Sequence, residues 1–323
     1  MSLKIYIDFP LSENARQLLE SQTNGHTLVF PSIPAESVLA KSHPDPALLE
    51  CDVVFGQPEP AEIEKAKRLK WIQISSSGIT RYDNSDFRSH VAKKRIPVCN
   101  SASVYNDACA DHLLAFMLAQ SRCLPQGLAS SDENGSPPWL ALRDGSVPLR
   151  GQSAIILGYG AIGARLVELL APYRMKLVAY RRKARGDEAI PVTTAENLPE
   201  ALASADHVIN ILPDSPATQG FFDAARFAQC KPGSVFYNIG RGTTVDQEAL
   251  ANSLRSAHTK AAWLDVTDPE PLPTDHRLRS APNCFITPHV AGGHLEESTT
   301  CVSHFLENLQ RFVEGRELLD RVM

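Results

Sequence analysis

Runs of four or five apolar residues, separated by amphipathic stretches, set the rhythm of the chain. In the first hundred residues Leu3–Ile7, Thr27–Phe30, Asp52–Phe55, Trp71–Ile74 and Ile96–Cys99 read as strands, with helices at Ser12–Glu20, Ala35–Lys41 and Ala61–Leu69. A strand that is apolar throughout is buried on both faces, so the pattern predicts a parallel sheet with helices on either side. Asn100–Leu124 is the longest helical pattern, with Ser103 as its expected cap. It is apolar on more than one side, which suits burial or a subunit contact, and His112 within it reads as structural. Gln126–Pro138 reads as a loop that ends at Trp139, an aromatic placed to anchor a partner or to pack within its own subunit.

A second alternating series begins at Gly151. Strands are expected at Ser153–Leu157, Lys176–Tyr180, His207–Ile211, Ser234–Ile239, Ala261–Asp265 and Cys284–Thr287. Helices are expected at Ala164–Ala171, Glu196–Ala203, Asp223–Phe227 and Gln247–Arg255, and six such strands complete a dinucleotide-binding fold. Glu296–Gly315 is a terminal helix with Phe305, Leu309 and Phe312 on one face.

The chemistry begins at the first strand of the second series. Ala154–Leu157 runs into Gly158, Tyr159, Gly160, Ala161, Ile162 and Gly163. Gly158 permits a tight turn, Gly160 lets the backbone approach a pyrophosphate, and Gly163 lets helix and strand pack closely. The helix N-terminus then offers N–H groups and a positive dipole end to the anion. An NAD site places a carboxylate after the second strand to bind the adenosine ribose. Here Arg181, Arg182, Lys183 and Arg185 follow that strand instead. Guanidinium groups at this point suit a 2′-phosphate, so Arg181 and Arg182 predict NADPH, with NAD used less efficiently. A basic surface loop is the alternative.

Composition narrows the partners. The 323 residues are 43% hydrophobic and 21% charged with net charge −5, which gives no reason to expect nucleic acid or an anionic membrane. No apolar run has the length of a membrane span, and no signal-peptide core opens the chain. The seven cysteines are scattered without a C-x-x-C pair; they read as free thiols and point to the cytoplasm. No metal site is expected. Ser75–Gly78 follows the Trp71–Ile74 strand and is either an anion-holding loop or a plain turn, while Lys65–Lys70 reads as a solvated helix end.

Three later segments follow strands and carry reactive groups: Asn238–Asp246 with Arg241, Asp265–Leu272 with Glu270, and Thr287–Gly293 with His289. Together with Leu149–Gln152, the glycine turn, Leu212-Pro213 and Thr218–Gly220, they make the chain resemble the NAD(P)-dependent D-isomer-specific 2-hydroxyacid dehydrogenases, in particular the glyoxylate/hydroxypyruvate reductases. The resemblance covers nearly the full length. It implies two doubly wound domains, a flavodoxin-like substrate domain at 1–99 plus 290–323 and an inserted Rossmann domain at 100–289. It also implies a homodimer, catalytic roles for Arg241, Glu270 and His289, and contact of Asp265 with the nicotinamide amide. Leu212, Pro213, Thr218, Ile239, Gly240, Arg241, His289 and Gly292 complete the expected cofactor set. Ser76, Ser77 and Gly78, with Arg241 and His289, form the expected substrate set.

The physical roles fit these residues. Arg241 can pair its planar fork with a substrate carboxylate. His289 as imidazolium can protonate a carbonyl oxygen while hydride arrives at carbon, and Glu270 beside it would orient the ring and favour its protonated form. The expected reaction is reduction of a small 2-keto acid, glyoxylate or hydroxypyruvate, to a D-2-hydroxy acid. The alternatives are a formate dehydrogenase-like activity and a dinucleotide-sensing, corepressor-like binding protein.

Overall fold

The computed structural model of the chain describes residues 2–33, 43–129, 138–186 and 188–323. Contacts divide the chain into two units, Met1–Tyr105 with Gly293–Met323, and Asn106–Gly292.

The first unit carries β1 (Lys4–Asp8), α1 (Glu13–Gln22), β2 (Thr27–Val29), β3 (Val53–Gly56), α2 (Pro60–Lys65), β4 (Trp71–Ile74), α3 (Ser85–Lys94) and β5 (Val98–Cys99). The five strands are parallel in the order β2-β1-β3-β4-β5, the flavodoxin-like arrangement. β3 and β4 are buried at every position, as continuous apolar runs require. The expected helix at Ala35–Lys41 lies outside the described residues. α2 stops at Lys65 rather than Leu69, and the Lys65–Lys70 run belongs to the turn into β4.

The second unit follows α4 (Ala102–Ser121), whose first turn belongs to the first unit. It holds α5 (Leu124–Ala129), α6 (Trp139–Gly145), β6 (Ser153–Leu157), α7 (Ala161–Leu170), β7 (Lys176–Tyr180), β8 (Val192–Thr193), α8 (Leu198–Ser204) and β9 (His207–Asn210). Then come α9 (Ala224–Gln229), β10 (Ser234–Asn238), α10 (Gln247–Arg255), β11 (Thr259–Leu264) and β12 (Cys284–Ile286). The last helix, α11 (Glu297–Glu314), returns to the first unit.

All seven strands of the second sheet are parallel, in the order β12-β11-β10-β9-β6-β7-β8. This is the doubly wound dinucleotide order with one further strand at the far edge. The apolar pattern predicts six strands. The missed one, β8, pairs only two residues with Ala179 and Tyr180, too few to leave a periodic signal. The strand order reverses between β6 and β9, and ligands in such sheets bind beyond the strand ends at that point.

Three other expectations need correction. Ser103 does not cap α4: the helix starts at Ala102, and the Ser103 hydroxyl donates to Asp320 at 2.6 Å. The loop expected at Gln126–Pro138 is helical through Ala129, and 130–137 lie outside the described residues. α7 begins at Ala161 rather than Ala164, because Gly160 serves as its cap.

Aromatic stacking joins α11 to the first sheet. Phe305 lies 4.5 Å from Phe55 and 5.2 Å from Trp71, and Phe312 lies 5.5 Å from Trp71. The apolar face read from the sequence therefore meets β3 and β4. Offset aromatic pairs of this kind add about 1 kcal/mol each beyond the area they bury.

Candidate active site

The glycine turn after β6 has the geometry its residues suggest. Gly158 has φ +98°, and a Cβ there would sit 2.7 Å from Ile211 O at the end of β9. A Cβ on Gly163 would sit 2.9 Å from Gly158 O, so its absence lets α7 lie against the turn. At Gly160 a Cβ would meet nothing within 4 Å. Side chains of Ser12, Asn84, Asp223 and Asp246 cap α1, α3, α9 and α10, whereas Gly160 brings no side-chain acceptor to α7. The first-turn N–H groups of α7 thus suit an anion, and the turn fits a dinucleotide pyrophosphate.

The Tyr159 hydroxyl accepts from Ala189 N at 3.4 Å, joining this turn to the basic segment after β7. Arg181, Arg182, Lys183, Ala184 and Arg185 line a hollow of about 510 Å³. No acid directly follows this strand in the sequence. The structure supplies one slightly later: Glu188 accepts from Arg181 Nη1 at 2.8 Å and from Arg185 N and Gly186 N, both at 2.9 Å. The Arg185 and Gly186 amides and the Arg181 guanidinium, acting against desolvation, pull the Glu188 carboxyl down to about 2. Arg181 is therefore held by a carboxylate of its own loop, while Arg182, Lys183 and Arg185 are exposed.

At the ends of β9 and β10 the loops touch backbone to backbone. A Cβ on Gly240 would lie 2.5 Å from Leu212 O, and one on Gly242 would lie 2.0 Å from the Thr267 carbonyl. Arg241 sits between these two glycines. Three buried polar residues fix its backbone: the Asn210 amide donates to Asn238 Oδ1 (3.1 Å) and Thr244 Oγ1 (2.7 Å). Asn238 Nδ2 (3.2 Å) and the Thr244 hydroxyl (2.7 Å) both donate to Arg241 O. Arg241 Nη1 donates to Gly240 O at 2.6 Å. The expected cofactor residues Leu212, Pro213, Ile239 and Gly240 gather here, and the Thr218 hydroxyl closes the loop by donating to Pro213 O at 2.6 Å. No local sequence pattern marks Thr244, whereas Asn210 ends the apolar strand β9 and demands a partner once buried.

Asp265, 2% exposed, organises the turn that presents His289. Its Oδ1 accepts from the Thr287 hydroxyl (2.6 Å) and Val290 N (2.9 Å), and its Oδ2 from Ala291 N (2.9 Å), just before Gly292. His289 N donates to the Asp265 carbonyl at 2.8 Å, and His289 takes φ +54°. His112 Nε2 lies 3.3 Å from Thr287 Oγ1 and 3.8 Å from Asp265 Oδ1. Burial holds this imidazole below its ordinary value despite the Asp265 charge.

His289 Nδ1 pairs with Glu270 Oε2 at 2.8 Å. Glu270 Oε1 accepts from Thr267 N at 2.9 Å. Burial pushes the Glu270 carboxyl up. The His289 and Thr267 hydrogen bonds and the His289 and Arg241 charges outweigh it, leaving the group below its usual value. Arg241, Glu270 and His289 therefore share one electrostatic environment. With Nδ1 on Glu270, His289 keeps Nε2 for a reacting atom.

Ser76, Ser77 and Gly78 belong to the first unit, directly after β4. The Ser76 hydroxyl donates to Gly78 O at 2.7 Å, and all three residues are half-buried.

The family model for the D-isomer-specific 2-hydroxyacid dehydrogenase NAD-binding domain matches residues 114–291. A glyoxylate reductase/hydroxypyruvate reductase of Homo sapiens is 32% identical over 224 residues, 69% of this chain and 67% of that protein. The apo D-mandelate dehydrogenase structure from Rhodotorula graminis superposes with a TM-score of 0.83 at 20% identity, covering 100% of this chain and 98% of that one. A D-isomer-specific 2-hydroxyacid dehydrogenase from Xanthobacter autotrophicus Py2, solved with NADPH and MES, superposes with a TM-score of 0.79 at 23% identity, covering 100% and 98%.

Proposed function

This chain belongs to the D-isomer-specific 2-hydroxyacid dehydrogenase family of oxidoreductases, and from that premise we propose that it reduces a small 2-keto acid, glyoxylate or hydroxypyruvate, with NADPH. The observation that carries the reading is the 2.8 Å His289–Glu270 pair in the field of Arg241. The nicotinamide supplies the hydride when bound. Arg241 binds the substrate carboxylate with its fork and fixes the 2-oxo group. His289 delivers a proton from Nε2 to the carbonyl oxygen, and Glu270 holds the ring and its positive charge. Reduction of the carbonyl thus consumes one hydride and one proton. Formate oxidation transfers hydride alone and leaves such a proton donor without a task. Ser76, Ser77 and Gly78 are proposed as a carboxylate-binding loop, as the resemblance implies.

The preference for NADPH over NADH is supported by the exposed Arg182, Lys183 and Arg185 around the hollow after β7. Glu188 braces Arg181 there and leaves the phosphate contact chiefly to Arg182. The related Xanthobacter enzyme solved with NADPH is consistent with this reading. Steady-state NADPH oxidation with a panel of 2-oxo acids tests the reaction: turnover of glyoxylate or hydroxypyruvate is expected, and no turnover with any 2-oxo acid refutes it. Arg182→Glu should raise KM for NADPH about tenfold or more and leave NADH nearly unchanged.

A homodimer is part of the same proposal. Leu128 (88% exposed), Leu140 (67%) and Trp139 (59%) present an apolar face on α5 and α6.

A further inference from the structure

Three consecutive carbonyls of the loop after β4 are held by the start of α4 and the residues before it. Ser75 O accepts from the Tyr105 hydroxyl at 2.8 Å, Ser76 O from Ser101 N at 3.0 Å, and Ser77 O from the Asn100 side-chain amide at 2.7 Å. These peptide bonds are trans. In a planar trans peptide the N–H of one residue points opposite to the C=O of the residue before it. The N–H groups of Ser76, Ser77 and Gly78 are therefore turned away from Asn100, Ser101 and Tyr105. Among the described residues none of the three donates to a protein acceptor. Successive N–H groups left facing outward in this way form a concave donor set for an anion.

We propose that Tyr105 and Asn100 are positioning residues for the substrate carboxylate: by holding the Ser75 and Ser77 carbonyls they aim the Ser76–Gly78 N–H groups, without touching the substrate. This rests on the reading of that loop as the carboxylate subsite. Tyr105 is 8% exposed, and its single hydroxyl hydrogen has two oxygen acceptors, Ser75 O and Glu297 Oε1 at 3.2 Å. Burial pushes this phenol far above its ordinary range, so it remains a donor wherever the enzyme is stable. Asn100, also 8% exposed, accepts from Ala102 N through Oδ1, which leaves Nδ2 directed at Ser77 O. A carboxylate at this position would put an acceptor against that carbonyl.

The test compares Tyr105→Phe and Asn100→Asp with the wild type in NADPH-dependent reduction of glyoxylate, alongside NADPH affinity by fluorescence titration and hydrogen exchange of the Ser101 amide, which donates to Ser76 O. Each variant is expected to raise KM for glyoxylate about five- to tenfold, the loss of roughly one hydrogen bond, with kcat within about twofold. NADPH affinity should hold and exchange at Ser101 should accelerate. Unchanged KM in both variants overturns the proposal, as does a joint loss of kcat, KM and NADPH affinity, which marks general damage. If the wild type turns over no 2-oxo acid, the proposed reaction has failed, and the exchange measurement then decides alone: unchanged rates in both variants sink the positioning role.

Discussion

At the scale of single residues, His289 and His207 show how environment assigns a histidine its task. His289 is paired through Nδ1 with Glu270, which leaves Nε2 for chemistry. His289→Ala should lower kcat by about 10²–10⁴ in steady-state assays, the range of a lost general acid, whereas Arg241→Ala should act mainly on KM for the 2-oxo acid. A His289→Ala enzyme with normal kcat refutes the mechanism. His207 is buried and bonded on both nitrogens, to Tyr237 Oη at 3.0 Å and Gln152 Oε1 at 2.9 Å. The Gln152 amide donates to Val147 O and Pro148 O, so its oxygen faces the ring, and the neutral Nε2–H form fits. Burial pushes this imidazole down to about 4. Its contribution to stability is complete above the unfolded value of 6.5 and falls as pH drops from there to about 4, by about 3 kcal/mol. Neighbouring Asp206 continues the trend. Burial pushes its carboxyl up, but the Lys231 and Ser153 bonds outweigh that and bring it to about 2, so its share is lost between 3.8 and about 2. Urea midpoints from pH 7 to pH 4 should fall less steeply in His207→Gln; equal slopes would exclude His207 as the cause.

Among the elements, two glycines that look alike in sequence carry opposite expectations. A Cβ at Gly242 would collide with the Thr267 carbonyl at 2.0 Å, where the loop after β10 meets the segment leading to Glu270. Gly242→Ala should therefore destabilise by about 3 kcal/mol and displace Arg241. At Gly160 a Cβ meets no protein atom within 4 Å, so Gly160→Ala should leave the melting temperature unchanged and weaken NADPH binding, measured by titration. A Gly160→Ala protein that melts early and binds NADPH normally reverses the assignment. The strand-turn-helix element was legible because burial made β6 uniformly apolar and close contact demanded glycine. The Asn210–Asn238–Thr244 bracket under Arg241 was not. Its members come from β9, β10 and the turn beyond, and no local spacing joins them.

For the whole molecule, the uncovered apolar face on α5 and α6 bears on assembly. These helices pack together: a Cβ at Gly127 would lie 3.6 Å from Leu142, and Arg143 stacks 4.6 Å from the Trp139 ring. Leu128 and Leu140 nevertheless remain exposed. Burying such side chains against a second copy is worth about 2 kcal/mol each. Sedimentation should find a dimer, and Leu128→Glu combined with Leu140→Glu should give a monomer. A monomeric wild type refutes the homodimer.

The alternation of strand and helix, both parallel sheets and the glycine turn were determined by the sequence itself, because each rests on local periodicity or on the steric demand of one residue. Arg241, Glu270 and His289 were readable as motifs at strand ends for the same reason. Their electrostatic union was decided by tertiary structure, since Asp265 and Glu270 hold His289 from across a turn and Arg241 acts on Glu270 from the loop after β10. Arg181 shows the same division. In sequence it reads as a phosphate ligand. In the fold Glu188 comes back to hold it, because a carboxylate seven residues on can reach a guanidinium only after the chain between them has turned.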